Sequence, residues 1–321
     1  MAPEKRYLIE SAFCAIVNQD YNMKELEHFT YGIVGMGLMG GSLAKAIRAN
    51  VLSKEGATGK IYACDINRAS LDMCLEQHIA DRAFSVEDAP LMLSQCDFVY
   101  VCLYPHATAD FLCAHKNEFK EGAIVSDISG VKALIFERMD ELSGCGFDFI
   151  PGHPMAGSER EGYASSNGSV FENHNYIVMP LEHTDAEDLR LFKSLITAMG
   201  FTRIVETDAN VHDHKIAFTS QLCHVIASAL VDSAEDTEVT AFGGGSFEDL
   251  TRIALINAPL WTELFLANKK ELLGHIEKFQ QSLEVLKNGI KNDDSGAIKS
   301  YLENVRVKRT AMSRIDTKKF S

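Results

Sequence analysis

Six short apolar runs, each followed by a polar or helix-like stretch, constrain this chain more than any other feature. They are residues 31–36 (YGIVGM), 60–66 (KIYACDI), 96–104 (CDFVYVCLY), 123–128 (AIVSDI), 147–152 (FDFIPG) and 175–180 (NYIVMP). Their hydrophobicity is continuous rather than alternating. A strand covered on one face alternates polar and apolar side chains, whereas a continuous run marks a strand covered on both faces. That is the pattern of a parallel sheet with helices on each side. After about residue 182 such runs stop. Periodic segments at 186–199, 209–235, 247–256, 259–291 and 294–312 predict helices, with residues 200–206 (GFTRIVE) as one short strand between the first two. The expectation is a doubly wound α/β domain over residues 23–183, followed by an all-α domain over 184–321. Residues 1–22 show no pattern and are read as an accessory extension.

A length of 321 residues fits two domains. Lys and Arg number 31 against 45 Asp and Glu, a net charge of −14. Phosphate neutralisation needs a basic surface, so this balance argues against nucleic acid as a partner. No run approaches the ~18 apolar residues of a membrane-spanning helix. Lys5 and Arg6 are followed by Glu10 and no small-residue cleavage site, so no secretory signal is expected. The eight cysteines include no C-x-x-C pair, and several sit inside apolar runs. They read as buried thiols in a reducing cytoplasm. The eleven histidines form no H-E-x-x-H or Cys/His ligand pattern, and no metal is expected.

Gly35-Met36-Gly37-Leu38-Met39-Gly40 is a G-x-G-x-x-G that follows one apolar run and opens a helical segment. The first glycine permits the tight turn, the second lets the backbone approach a pyrophosphate, and the third lets helix and strand pack closely. The next run carries Asp65 at its end, 25 residues beyond Gly40. An acid there accepts hydrogen bonds from both adenosine ribose hydroxyls and repels a 2′-phosphate. The first domain is thus read as a Rossmann-type dinucleotide-binding domain, with NAD favoured over NADP. Arg68, three residues on, could soften that preference or be a surface arginine.

In a doubly wound sheet the reacting groups gather outside the carboxyl ends of the strands. Two such ends carry chemistry here. Asp127, Ser129 and Lys132 lie at one strand-to-helix turn, and His153 lies between Gly152 and Pro154 after another. A histidine so placed either satisfies a turn or acts as a base, and its unperturbed pKa of about 6.5 suits the second role. Farther on, His212, Ser220, His224 and Ser228 recur at spacings of four or eight, with Gln221 beside them. Such a polar seam on a long apolar helix faces either another helix or a polar ligand. Ser246 is a candidate N-cap. Arg252 either pairs with Glu248 at i,i+4 or presents a guanidinium fork to a carboxylate.

Together, residues 35–44 (GMGLMGGSLA), 127–132 (DISGVK), 152–159 (GHPMAGSE), the HDH and TSQLCH segments, and 243–254 (GGGSFEDLTRIA) resemble the prephenate/arogenate dehydrogenases of tyrosine biosynthesis. The resemblance spans roughly residues 31–310. It implies an NAD-dependent oxidative decarboxylation of prephenate, arogenate or both, in a cytoplasmic homodimer joined through its helical domain. It implies a catalytic histidine at His153, with Ser158 and Glu159 closing the same loop, and substrate contacts from His224, Gln221 and Arg252. Where the family often has Gly-Ser-Val-Lys, this chain has Ser129-Gly130-Val131-Lys132. The serine expected beside the histidine would fall at Gly130, and Ser129 is the candidate to replace it. Cys223 stands where the family has proline, which points to a straighter helix. The chain has no room for an appended regulatory domain or a fused mutase, so a monofunctional enzyme is expected. The rival readings are a β-hydroxyacid-type dehydrogenase and a dinucleotide-binding regulator without catalysis.

Overall fold

The computed structural model describes residues 24–158 and 160–318, with side chains described through Met312. The extension over residues 1–22 and Glu159 lie outside the described residues.

Six strands form one all-parallel sheet: β1 (Thr30–Val34), β2 (Lys60–Cys64), β3 (Arg82–Phe84), β4 (Phe98–Val101), β5 (Ile124–Asp127) and β6 (Asp148–Phe149), in the order β3-β2-β1-β4-β5-β6. Five of the six apolar runs supply five of these strands. The order reverses between β1 and β4, which opens a crevice at their carboxyl ends. Successive residues of β4 show why the runs are continuous: Phe98 and Tyr100 enter one buried cluster, Val99 and Val101 the other.

The sixth run departs from expectation. Residues 175–180 contain β8 (Asn175–Val178), which belongs to a second, three-stranded sheet with β7 (Gly152–Pro154) and β9 (Arg203–Glu206), in the order β7-β8-β9. β7 runs antiparallel to β8, and β9 parallel to it. A continuous run reports coverage of both faces but not which sheet the strand joins. The short strand expected in residues 200–206 is β9.

The helices are α1 (Leu38–Asn50), α2 (Arg68–Glu76), α3 (Ala89–Leu93), α4 (Pro105–Ala114), α5 (Ala133–Phe136), α6 (Ala186–Ala198), α7 (Ala209–Ile216), α8 (Leu222–Asp232), α9 (Gly245–Thr251), α10 (Ala258–Ala267), α11 (Lys269–Lys291) and α12 (Ser295–Lys318). Side-chain caps start several of them: Asn67 accepts the Ala69 and Ser70 N–H groups, and Asp185 accepts those of Glu187 and Asp188. Phe192 and Leu195 of α6 join the cluster that holds Tyr31, Phe98 and Tyr100. So α6 and β9, which sequence periodicity assigns to the start of the second domain, pack onto the first core.

Residues 209–235 are not one regular helix. A π turn at Ala217–Gln221, just before Cys223, separates α7 from α8. The segment 259–291 is likewise broken, at Asn268, where the side-chain amide donates to the Asp213 carbonyl (2.8 Å) and to Gln221 Oε1 (2.9 Å). Asn268 ends one compact unit; Lys269 begins the other, in which α11 and α12 pack on one another. Among the described residues no helix is long and apolar enough to cross a membrane.

Candidate active site

The chain leaves β1 and turns at Gly35, whose φ is +91°. A Cβ there would lie 2.5 Å from the Cys102 carbonyl oxygen, just past β4, and one on Gly40 would lie 1.9 Å from the Gly35 carbonyl oxygen. Only glycine fits at either place. At Gly37 a Cβ would meet nothing within 4 Å. That position opens onto free space at the start of α1, with Leu38 and Met39 as the first helical residues. No side chain caps this helix and no acid sits in its first turn. Unpaired N–H groups and the helix dipole make such an end a site for phosphate. Asp65, just past β2, accepts the Met36 N–H (2.5 Å) and the Asn67 N–H (2.6 Å), tying the glycine loop to the end of the neighbouring strand. Arg68 is engaged by Asp72 at 2.8 Å.

His153 sits in the middle of β7, opposite Ile177 of β8. Gly152 and Pro154 on either side are buried, and the alternation of the strand turns the imidazole the other way. Its Nδ1 lies 2.9 Å from Nε2 of His212 on α7, and His212 Nδ1 lies 2.7 Å from Oδ1 of Asp213. The Asp213 carboxylate also accepts the backbone N–H groups of Lys132 (2.9 and 3.1 Å) and Ala133 (2.9 Å). Lys132 in turn is fully buried; its ammonium donates to Asp127 Oδ2 and to the Gly152 carbonyl, both at 2.6 Å. The turn after β5, the strand bearing His153 and helix α7 are thus linked. Burial, with His212 and Lys132 adding to it, holds the His153 pKa well below the usual imidazole value. Burial also lowers His212, against the opposing hydrogen bond to Asp213. Both rings are therefore neutral at pH 7.

Gly130 is the residue beside His153: a Cβ there would lie 3.8 Å from His153 Nε2 and 3.4 Å from Leu264 of α10. Ser129, the adjacent residue, is buried. Its buried hydroxyl has no hydrogen-bond partner among the described residues, and only its N–H is engaged, by Asp127. Ser158 is exposed, and its hydroxyl accepts the Arg160 N–H at 3.3 Å.

On the helical side, His224 is half-buried and stacks on Trp261, ring centroids 3.6 Å apart. Its Nδ1 donates to the Ser220 carbonyl (3.0 Å), which leaves Nε2 as an acceptor. Burial lowers its pKa, the Ser220 bond opposes this, and the charge of Arg252 adds to the lowering; the turn Arg252–Ala254 packs on α8. Arg252 is exposed and follows the end of α9. Ser246 does not cap that helix: Gly244 is the N-cap, and its carbonyl accepts the Phe247 and Glu248 N–H groups. Gln221 is also placed differently from the expected pocket contact. It is 1% exposed, and its amide donates to the Leu264 carbonyl (2.7 Å) and accepts from Asn268. The π turn before α8 directs it inward, where it ties two helices together. Sequence reasoning missed Trp261 and Asp213; only the adjacency of His and Asp in HDH could have signalled the latter.

Known proteins are similar to this chain over most of its length. The family model "Prephenate dehydrogenase, nucleotide-binding domain" matches residues 48–205, and "Prephenate dehydrogenase, dimerization domain" matches residues 208–304. A crystal structure of prephenate dehydrogenase from A. aeolicus, in complex with hydroxyphenyl propionate and NAD+, superposes with a TM-score of 0.76 at 31% identity, covering 88% of this chain and 98% of that one. The chain belongs to the prephenate dehydrogenase family. Prephenate dehydrogenase from Bacillus subtilis is 26% identical, over 85% of this chain and 73% of its own length. Cyclohexadienyl dehydrogenase from Zymomonas mobilis is 27% identical, over 87% and 94%. Membership in the prephenate dehydrogenase family sets aside the β-hydroxyacid dehydrogenase reading.

Proposed function

We propose that this chain binds NAD and catalyses the oxidative decarboxylation of prephenate to 4-hydroxyphenylpyruvate, of arogenate to tyrosine, or of both. The observation that carries the reading is His153, a neutral imidazole in β7 that is backed by His212 at Nδ1 and has its Nε2 beside Gly130.

The glycine loop fits a dinucleotide: Gly37 opens onto space at an uncapped helix start. Gly35, Gly37, Leu38, Met39 and Gly40 would hold the diphosphate, and Asp65 the adenosine ribose, which favours NAD over NADP. Arg68 pairs with Asp72 at the surface, in line with the reading of it as a surface arginine. When bound, NAD accepts the hydride from the substrate ring. His153 Nε2 accepts the proton of the ring hydroxyl, the ring carboxylate leaves as carbon dioxide, the proton returns to the phenolate oxygen so formed, and aromatisation drives the reaction. The protein thus needs chiefly to orient the substrate and supply one base. Arg252 holds a substrate carboxylate, and His224 on its Trp261 platform lines the pocket. Ser158 lies in the loop that follows His153.

Residues 23–183, extended through β9 by its packing, form the dinucleotide-binding part, and the helical remainder serves substrate binding and dimerisation. A homodimer is supported by the family's dimerization domain and by apolar side chains exposed on α11, among them Leu283 (54%), Val285 (58%) and Ile290 (61%). The cysteine usage supports a cytoplasmic setting.

The test is NADH formation, followed by absorbance, with NAD and either prephenate or arogenate. Turnover with at least one is expected. Protein that binds NAD yet turns over neither would overturn the reading and favour a regulator without catalysis.

A further inference from the structure

The network behind His153 has a consequence for where its proton sits. Both oxygens of Asp213 accept backbone N–H groups from Lys132 and Ala133. Asp213 is therefore an acceptor toward His212, and the 2.7 Å contact places the His212 proton on Nδ1. A neutral His212 then offers only a lone pair at Nε2. The 2.9 Å contact from there to His153 Nδ1 requires the proton of His153 to be on Nδ1. That leaves the lone pair of His153 on Nε2, the atom that faces Gly130.

We propose that His212 and Asp213 are positioning residues: a two-bond relay, anchored on the backbone of the turn after β5, that fixes His153 in the tautomer whose Nε2 can accept a proton. The inference rests on the base role proposed above for His153, and adds to it the residues that make the base competent. The charged and titratable groups around the relay are Asp127 at the end of β5, Lys132 from the turn after it and Asp213 on α7. The relay crosses from the nucleotide-binding part to the helical part, so tautomer and docking of the two parts are set together.

Asp213→Asn is the sharpest test. The backbone N–H groups of Lys132 and Ala133 retain the amide oxygen, which turns the amide NH2 toward His212. The His212 proton then moves to Nε2, and the His153 proton moves to its own Nε2, where the base should be. Selective 15N-histidine NMR of the full-length protein reads this without reference to activity. The wild type is expected to show His153 protonated at Nδ1, and Asp213→Asn to show it protonated at Nε2. In turnover the same variant is expected to lose about 10²–10⁴-fold in kcat near pH 7, with KM changed little. Should Asp213→Asn fail to fold, His212 supplies the test. Glutamine there can donate toward Asp213 and accept from His153, whereas leucine can do neither. His212→Gln is expected to retain far more activity than His212→Leu, and to preserve the Nδ1 proton of His153.

A wild-type His153 protonated at Nε2 would overturn the proposal. So would an Asp213→Asn enzyme with wild-type kcat and pH profile, or equal kcat in the His212 variants. Failure of the function itself is distinguishable: the NMR tautomer would stand while His153→Asn left turnover intact.

Discussion

Lys132 Nζ lies 2.6 Å from Asp127 Oδ2, with both side chains fully buried, and the same ammonium donates to the carbonyl of Gly152 one residue before His153. Asp127 also accepts the Gly152 N–H at 3.3 Å. Gly152, the residue that leads into the candidate base, is thus held at both its N–H and its C=O by one ion pair. Burial lowers the Lys132 pKa while Asp127 beside it works the other way. The pair persists because each charge has a partner of opposite sign and further hydrogen bonds.

Removing one partner should be costly. Lys132→Met leaves the Asp127 carboxylate buried without its cation, and a loss of about 3–5 kcal/mol is expected from denaturant unfolding. The double variant Lys132→Met/Asp127→Asn should recover a large part of it. Equal losses in the single and double variants would contradict this.

Asp65 should govern cofactor choice. Asp65→Ser removes the carboxylate that repels a 2′-phosphate and also loosens the tie to Met36. The ratio of kcat/KM with NADP to that with NAD is expected to rise about tenfold or more, equivalent to at least ~1.4 kcal/mol. An unchanged ratio would displace Asp65 from this role.

Acid should destabilise the fold through its buried imidazoles. His153 and His212 both have folded pKa values below the unfolded value of 6.5. Below pH 6.5 the unfolded chain therefore binds protons that the folded chain refuses. Their contribution is fully present above pH 6.5 and is lost as pH falls toward the folded values, at up to about 1.4 kcal/mol per pH unit for each ring. Chemical denaturation between pH 7 and 5 measures it.

Asp188 carries the opposite sign. Burial, with Asp148, Asp185 and Glu25 nearby, raises its carboxyl from 3.8 to about 6. The folded state favours the protonated form, so ionisation costs stability as pH rises through that range. Asp188→Asn is expected to raise Tm at pH 8 and to have no such effect near pH 4. A uniform shift at both would point to a cause other than charge.

The strands of the main sheet were legible because each is covered on both faces, as the split of Phe98 and Tyr100 from Val99 and Val101 shows. β3 was not: it has three residues and starts with an exposed Arg82. β8 was seen as a strand but assigned to the wrong sheet, since its apolar residues do not encode a neighbour. The glycine loop and Asp65 were readable from spacing because one strand–helix–strand unit, β1 to β2, holds them all. The partner of His153 was not, because His212 is 59 residues away in sequence. Spacing alone grouped His212 with His224, whereas the π turn between them assigns one to His153 and the other to Trp261. Gln221 illustrates the same limit, since one extra residue in a helix decides whether an amide faces a pocket or a neighbouring helix.

The most direct test of the central claim is the turnover of His153→Asn with NAD and the preferred substrate, measured beside its affinity for NAD. A fall in kcat of about 10²–10⁴-fold with NAD affinity close to wild type is expected, the range for loss of a general base. Turnover near the wild-type rate would contradict the assignment of His153 and, with it, the account of the site built around it.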